Sequence, residues 1–300
     1  MSNNQESESS RVYYLFYTFF LIPLMICVFG VLFVLITKVL TQEPTDINQL
    51  LSKLETGSMR DKADASYRIN KLFTDYSDKY DASYRNRIIR IHNMSKSEFN
   101  LDNTLRLHVI MIMGNSKDST FGKNLIDELS AKDESFRIKA IESLGKLQYS
   151  PAADLVKNFL KADNSFLEKL AAAGALGNMR NPSVINDLVA LINSWPSNWD
   201  ESDGPELRWE ATIALLKLGY SDSLTIKIIT NLLDKSYYIP YQQLDKNKID
   251  FILLKILNIL YSIDNIELLK PFQPNIYRLS EDSSNLELQN LAKKLHNRLR

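Results

Sequence analysis

Few residues in this chain are spaced to do chemistry. The three histidines, His92, His108 and His296, are scattered, and the first two are sixteen positions apart on different expected helices. A helical zinc pair needs i, i+4 spacing or a carboxylate placed beside it, so that the lone pairs converge on one ion. No metal site is expected. Gly174-Ala-Leu-Gly177 has glycines but lacks the following Lys-Ser/Thr with which a phosphate loop reaches its nucleotide. Neither G-x-S-x-G nor H-E-x-x-H occurs. The carboxylate pairs Asp133/Glu134 and Glu281/Asp282 fall at expected helix starts, where acids cap N–H groups and oppose the helix dipole. The one cysteine, Cys27, lies in an apolar segment, so disulfides and thiolate metal sites are excluded elsewhere. The sequence therefore predicts no catalytic residue, no cofactor and no enzyme activity.

Two kinds of recurrence remain. A basic residue returns at one pattern position: Lys62, Arg106, Arg137, Lys169 and Arg208. Stacked, these make either a basic strip or a series of stems packed on neighbouring helices, with acids such as Glu134, Glu168 and Glu210 in reach. Aromatic residues concentrate in two irregular stretches. Asn193–Pro205 carries Trp195 and Trp199, and Lys235–Lys248 carries Tyr237, Tyr238 and Tyr241. Both stretches lie between repeats, so both are expected on one edge. There they seal the core, or they form a protein-binding edge of the residue types that carry interface energy. A third segment, Arg85 to Lys96, is basic with isoleucines between the charges. It reads as an anionic-lipid contact or as an ordinary helix facing the stack.

The elements that must carry these residues are helical. The segment Asp133 to Ala162 sets the pattern, with Phe136, Ala140, Ile141, Leu144 and Leu147 on one face of a first helix. Gly145 allows a neighbouring backbone to approach. Ser150-Pro151 makes a turn, and Leu155, Val156, Phe159 and Leu160 stripe a second helix. The frame Arg137, Ala140, Leu144, Gly145 returns as Arg106, Val109, Met113, Gly114 and as Lys169, Ala172, Leu176, Gly177. It returns again as Lys62, Ala65, Ile69, Leu72, as Arg208, Ala211, Leu215, Leu218, and more weakly as Asp250, Leu253, Leu257, Leu260. Helix–turn–helix units recurring in this way build a solenoid, because each pair buries its apolar face only against neighbours. Six units are expected, the last reduced to the single helix Asn285–Leu299 with a polar outer face.

Composition agrees. With 45% hydrophobic residues a core can be filled, and nine glycines and nine prolines are few. Lys plus Arg and Asp plus Glu are 36 each, so a net charge of zero gives no argument for nucleic acid as a partner. Ahead of the repeats, Val12 to Ile36 runs without a charge. As a helix it spans a hydrocarbon core of roughly 30 Å. A cleaved signal would have a shorter apolar core and a small-residue cleavage site, neither of which is present. The expected organisation is a disordered tail at 1–11, a transmembrane helix at 12–37, a linker at 38–46 and a repeat domain at 47–300. Arg11 and Lys38 flank the span evenly, and the repeat domain is assigned to the cytoplasmic side on a narrow balance.

RIKAIESLGKL, LEKLAAAGALGNMRNPSVINDLVALI and LRWEATIALLKLG resemble HEAT repeats, and more narrowly the short bacterial HEAT-like repeats of the phycobilin-lyase type. The resemblance is good over 104–235 and fair over 61–103 and 245–300. Joined to the membrane helix read above, which departs from the usual soluble lyase and places the chain in a bacterial inner membrane, it implies an all-α, right-handed α-solenoid of about six helical hairpins behind that helix. It implies a scaffold that binds and organises a protein partner, as an accessory subunit of a membrane complex. The alternative it carries is a lyase-like or chaperone-like protein that handles a cofactor or its acceptor protein.

Overall fold

A computed structural model of the chain describes residues 16–41, 46–75, 82–96, 103–161, 163–194, 204–241, 243–282 and 284–300. The chain divides into two units, Met1–Gln49 and Leu50–Arg300. The first unit contains helix α1, Ile22–Thr41, entered through a π-turn at Tyr17–Leu21. The π-turn has a local cause. Pro23 has no N–H to offer the carbonyl of Phe19, and just ahead of it the ladder slips by one residue, with Ile22 N–H donating to Tyr17 O. Tyr17–Ile36 is apolar enough, and at 20 residues long enough, to cross a membrane, and none of it is buried. Cys27 is exposed on it.

The second unit is entirely helical among its described residues. The helices are α2 (Ile47–Thr56), α3 (Met59–Asp75), α4 (Ala82–Ser95), α5 (Asn103–Asn115), α6 (Gly122–Glu128) and α7 (Glu134–Lys146). They continue with α8 (Ala153–Val156), α9 (Phe166–Met179), α10 (Ile185–Asn193), α11 (Pro205–Lys217) and α12 (Ser223–Leu232). The last are α13 (Lys246–Tyr261), α14 (Gln273–Glu281) and α15 (Leu286–Arg298). The odd-numbered helices from α3 to α13 are the first helices of six pairs. Each of α3, α5, α7, α9 and α11 packs on the next first helix, and the even-numbered helices and 3-10 turns form the second layer. The sixth pair is complete, since α13 is followed by a 3-10 stretch and α14, and α15 closes the stack as an additional helix. The sequence count of six units with a truncated last one is corrected in that detail.

The recurring frame is the core. Ala65, Ile69, Val109, Met113, Ala140, Leu144, Ala172, Leu176, Ala211, Leu215, Leu253 and Leu257 are all 0% exposed. Leu72 departs from it, because the next residue, Phe73, takes the buried place. The glycines seat successive helices. A Cβ on Gly114 would lie 2.5 Å from Ser143 Cβ, one on Gly145 2.6 Å from Ala175 Cα, and one on Gly177 2.7 Å from Ala214 Cα. Side chains there would push α5 from α7, α7 from α9 and α9 from α11. α11 has no such glycine, and α13 meets it over only a short length.

The first helices also end alike. Lys117, Gln148, Arg180 and Gly219 have φ of 57°, 52°, 52° and 75°, each four residues beyond the buried Met113, Leu144, Leu176 and Leu215. Behind two of these turns, Tyr149 N–H donates to Leu144 O and Tyr220 N–H to Leu215 O, which satisfies carbonyls that a helix end leaves open. Helix starts are capped by Asp133, Ser165, Asp222, Asp245 and Asn285, with a full capping box between Ser165 and Glu168. Glu281 and Asp282 correct the expectation of a helix start there. They stand at the end of α14, where Asp282 accepts from Ser284 N–H.

Candidate partner-binding surface

Two of the recurring cations, Arg106 and Arg137, turn inward onto acids of the stack. Arg137 donates to Glu168 Oε1 at 2.6 Å, one repeat on, and to the carbonyls of Ala131 and Lys132. Arg106 donates to Glu128 Oε2 at 2.7 Å, and its guanidinium lies 4.2 Å from the Phe136 ring centre. They therefore tie repeat to repeat. The Arg85–Lys96 segment is neutralised in the same way. Arg85 pairs with Asp118, Arg87 and Arg90 share Glu55, and His92 and Lys96 meet Glu128. Ile88 and Ile91 of that segment are buried. Burial pushes the Glu128 carboxyl up, but hydrogen bonds from His92, Arg106 and Lys96 outweigh it and hold the group at about 2. The bonds from Arg87 and Arg90 likewise hold Glu55 at about 2. Among the described residues, no three His, Cys, Asp or Glu side chains come together as metal ligands.

Trp195 and Trp199 lie outside the described residues. The tyrosine stretch is described, and the structure gives its three members different surroundings. Lys235–Tyr238 forms a 3-10 turn capped by Asp234, which accepts from Ser236 N–H at 3.0 Å. Lys235 pins that turn to the loop before α15, reaching Asp282 at 2.5 Å and Ser284 Oγ at 2.7 Å. The Lys235 bond is the largest cause of an Asp282 carboxyl held at about 2. Tyr238 is 2% exposed, and its hydroxyl donates to Leu232 O at 2.7 Å. Tyr237 and Tyr241 are half-buried. Burial, with neighbouring tyrosines, pushes the Tyr238 and Tyr241 phenols far above their usual range.

Trp209 is the residue that sequence reasoning passed over. Its ring lies 6.1, 5.7 and 5.2 Å from those of Tyr237, Tyr238 and Tyr241, so one buried indole on α11 organises all three tyrosines. The signal was available in the LRWEATIALLKLG run, whose apolar residues Leu207, Trp209, Ala211 and Ile213 to Leu216 occupy more than one face of a helix. Leu207, Trp209 and Ala211 to Leu216 are all buried, so α11 is covered on more than one side. What the cluster leaves in solvent is its tip, Ile239, at 76% exposure, and Pro240.

A second feature was not legible at all. The first helices α7, α9, α11 and α13 bound a groove of about 540 Å³. Ile138, Leu170, Ala171 and Gly174 line it, and Leu167 and Phe251 stand at it 56% and 67% exposed. Lys255 Nζ reaches Glu210 Oε2 at 2.5 Å across the space between α13 and α11. The Glu210 carboxylate sits over Gly174, where a Cβ would come within 2.8 Å of Oε1. The groove exists because α13 leaves the close packing that glycines impose on the earlier steps.

Paired helices, glycine seats and left-handed caps make the second unit an α-solenoid of helical hairpins. Residues 122–201 match a family described as HEAT repeats. Among solved structures, the chain is similar to the complex of CpcE and CpcF of phycocyanin lyase from Nostoc sp. PCC7120. That match has 14% identity, covers 87% of this chain and 97% of that one, and has a TM-score of 0.54. An engineered protein matches at 13% identity over 84% of this chain and 68% of its own, with a TM-score of 0.40. No curated protein sequence matches significantly. At 14% identity the likeness to the lyase complex is one of fold.

Proposed function

We propose that this protein is a membrane-anchored HEAT-like scaffold that binds and organises a protein partner at the membrane, as an accessory subunit of a larger membrane complex. The observation that carries the reading is the helix Tyr17–Ile36, apolar and with no buried residue, ahead of a repeat stack that has a core of its own. An apolar helix of that length left uncovered has the bilayer as its natural solvent. Anchoring raises the effective concentration of the stack near a membrane partner. The contact edge is the aromatic set Trp195, Trp199, Tyr237, Tyr238 and Tyr241, in which Tyr238 is the buried footing of the tyrosine turn and Ile239 stands exposed at that turn's tip. Its support is the rigid footing of the tyrosine turn on Trp209 and Lys235. Affinity purification from detergent-solubilised membranes tests it. One specific partner should co-purify, and Trp195→Ala with Trp199→Ala should abolish its recovery from a folded protein. Unchanged recovery would remove the aromatic edge from the account.

The groove bounded by α7, α9, α11 and α13 supports a second reading, in which the protein handles a cofactor or its acceptor protein. Such a role needs a concave, largely apolar space with a few polar groups, and this groove has that character. Protein purified from its native membrane would then carry a bound small molecule visible by absorbance or native mass spectrometry. A bare chain in that measurement removes the second reading.

A further inference from the structure

We infer that the pocket between the C-terminal ends of α9, α11 and α13 binds an anionic oxygen group, a carboxylate or a phosphate, through Lys217 and Arg180. The pocket has a volume of about 260 Å³ and is lined by Gln148, Asn178, Arg180, Lys217 and Ser262, among others. Asn178 lines both this pocket and the apolar groove, so the two spaces adjoin.

The argument rests on how this chain treats its cations elsewhere. Arg106, Arg137, Lys235 and Lys255 each reach a carboxylate, on Glu128, Glu168, Asp282 and Glu210 respectively. Lys217 is half-buried, and among the described residues its ammonium donates to a neutral acceptor, Asn178 Oδ1, at 2.7 Å and pairs with no carboxylate. The acid that acts on it, Glu210, is already engaged by Lys255. Arg180 is exposed and makes no ion pair among the described residues. Burial, Lys255 and Arg180 all push the Lys217 amine down, and Glu210 only partly opposes them.

Cations near helix C-termini complement the dipole, which accounts for the sign of both residues. It does not account for placing one of them half-buried beside two others. A bound anion does, since it relieves the repulsion and takes charge-assisted hydrogen bonds from an ammonium and a planar guanidinium. Lys217 supplies a point charge and Arg180 a two-pronged donor. Ser262 Oγ–H is already given to Ile259 O, so the hydroxyl offers its lone pairs rather than its proton.

The test uses the full chain in detergent micelles, with lysines carrying ¹³C-methyl labels and the Lys217 signal assigned by its loss in Lys217→Gln. Sodium acetate and sodium phosphate are titrated separately at constant ionic strength. The expected result is a saturating shift of the Lys217 signal with at least one anion, together with a rise in its titration midpoint. The exposed Lys123 on α6 should not follow. Saturation by phosphate alone assigns a phosphoryl group, and saturation by acetate assigns a carboxylate. Arg180→Gln, an exposed substitution whose fold is checked by circular dichroism, should weaken the effect about tenfold, and Arg180→Lys should restore part of it. A Lys217 signal that fails to saturate with either anion, or moves in step with Lys123, overturns the assignment. So does an Arg180→Gln protein that binds unchanged. No partner is present in this experiment, so its failure leaves the scaffold reading standing.

Discussion

Glu128 shows how single residues hold the repeats together. It is fully buried, and His92, Lys96 and Arg106 converge on it from α4, the turn after α4, and α5. Its carboxyl titrates near 4.5 when unfolded and at about 2 when folded. A depressed folded value means the stabilisation is complete above the unfolded value and is lost as pH falls from about 4.5 towards 2. The shift corresponds to roughly 3 kcal/mol. Urea denaturation as a function of pH should show that acid slope in the wild type and a flatter one in Glu128→Gln. The variant should also lose about 3–5 kcal/mol near neutral pH, because three basic groups are left facing an amide. A wild-type slope in the variant would assign the acid sensitivity to other carboxylates. At Gly219, φ is 75° and nothing lies within 4 Å of an added Cβ. Gly219→Ala therefore isolates backbone strain, and the same denaturation assay should report a loss of about 1 kcal/mol.

At the scale of elements, glycine at the helix crossing is what keeps successive first helices close. Gly145→Val should cost about 3 kcal/mol or more, since the α9 backbone at Ala175 cannot give way as a flexible side chain would. Gly174→Ala should cost less, because only the movable Glu210 carboxylate lies in the way. The order of the two melting temperatures checks this. Trp209→Ala should destabilise by about 3–5 kcal/mol and free the tyrosine turn. Reduced amide-exchange protection at 235–241 would report the second effect.

The same elements show what the sequence could and could not reveal. The period that places Ala140, Leu144, Ala172 and Leu176 in the core is a local pattern, and it is written in the residue types. The placement of Arg137 on Glu168 was an open alternative, because charge pairing across a repeat is settled only when the stacking register is known. The groove was not legible, and of the Trp209 cluster only the residue types could be read, not their assembly around one indole. Both arise where α11 and α13 depart from the repeat, and a departure has no period to read. Tyr238 illustrates the limit, since composition marks it as an interface residue and only its hydroxyl bond to Leu232 O shows that it is part of the footing.

For the whole molecule, function divides between an anchor and a stack, each with its own physical requirement. In the proposed reading, the apolar helix Tyr17–Ile36 needs lipid around its uncovered surface. The stack needs neighbours for every helix pair and obtains them from its own repeats, closed by α15 with Glu287, Lys293 and Lys294 outward. Arg298 completes that closure by donating at 2.6 Å to the carbonyls of Tyr261, the last residue of α13, and Ile263, just beyond it. The full chain has zero net charge and so no general attraction to polyanions, and recognition has to come from shape and from particular side chains.

The central claim is that the stack holds a specific protein at the membrane through its aromatic edge. Photocrosslinking in intact membranes, from a photoreactive residue placed at the exposed Ile239 tip, tests it most directly. The account predicts one discrete adduct in the membrane fraction, with a membrane protein identified in it by mass spectrometry and the adduct lost in the Trp195→Ala, Trp199→Ala protein. A folded, membrane-bound chain that gives no adduct from Ile239 would contradict it.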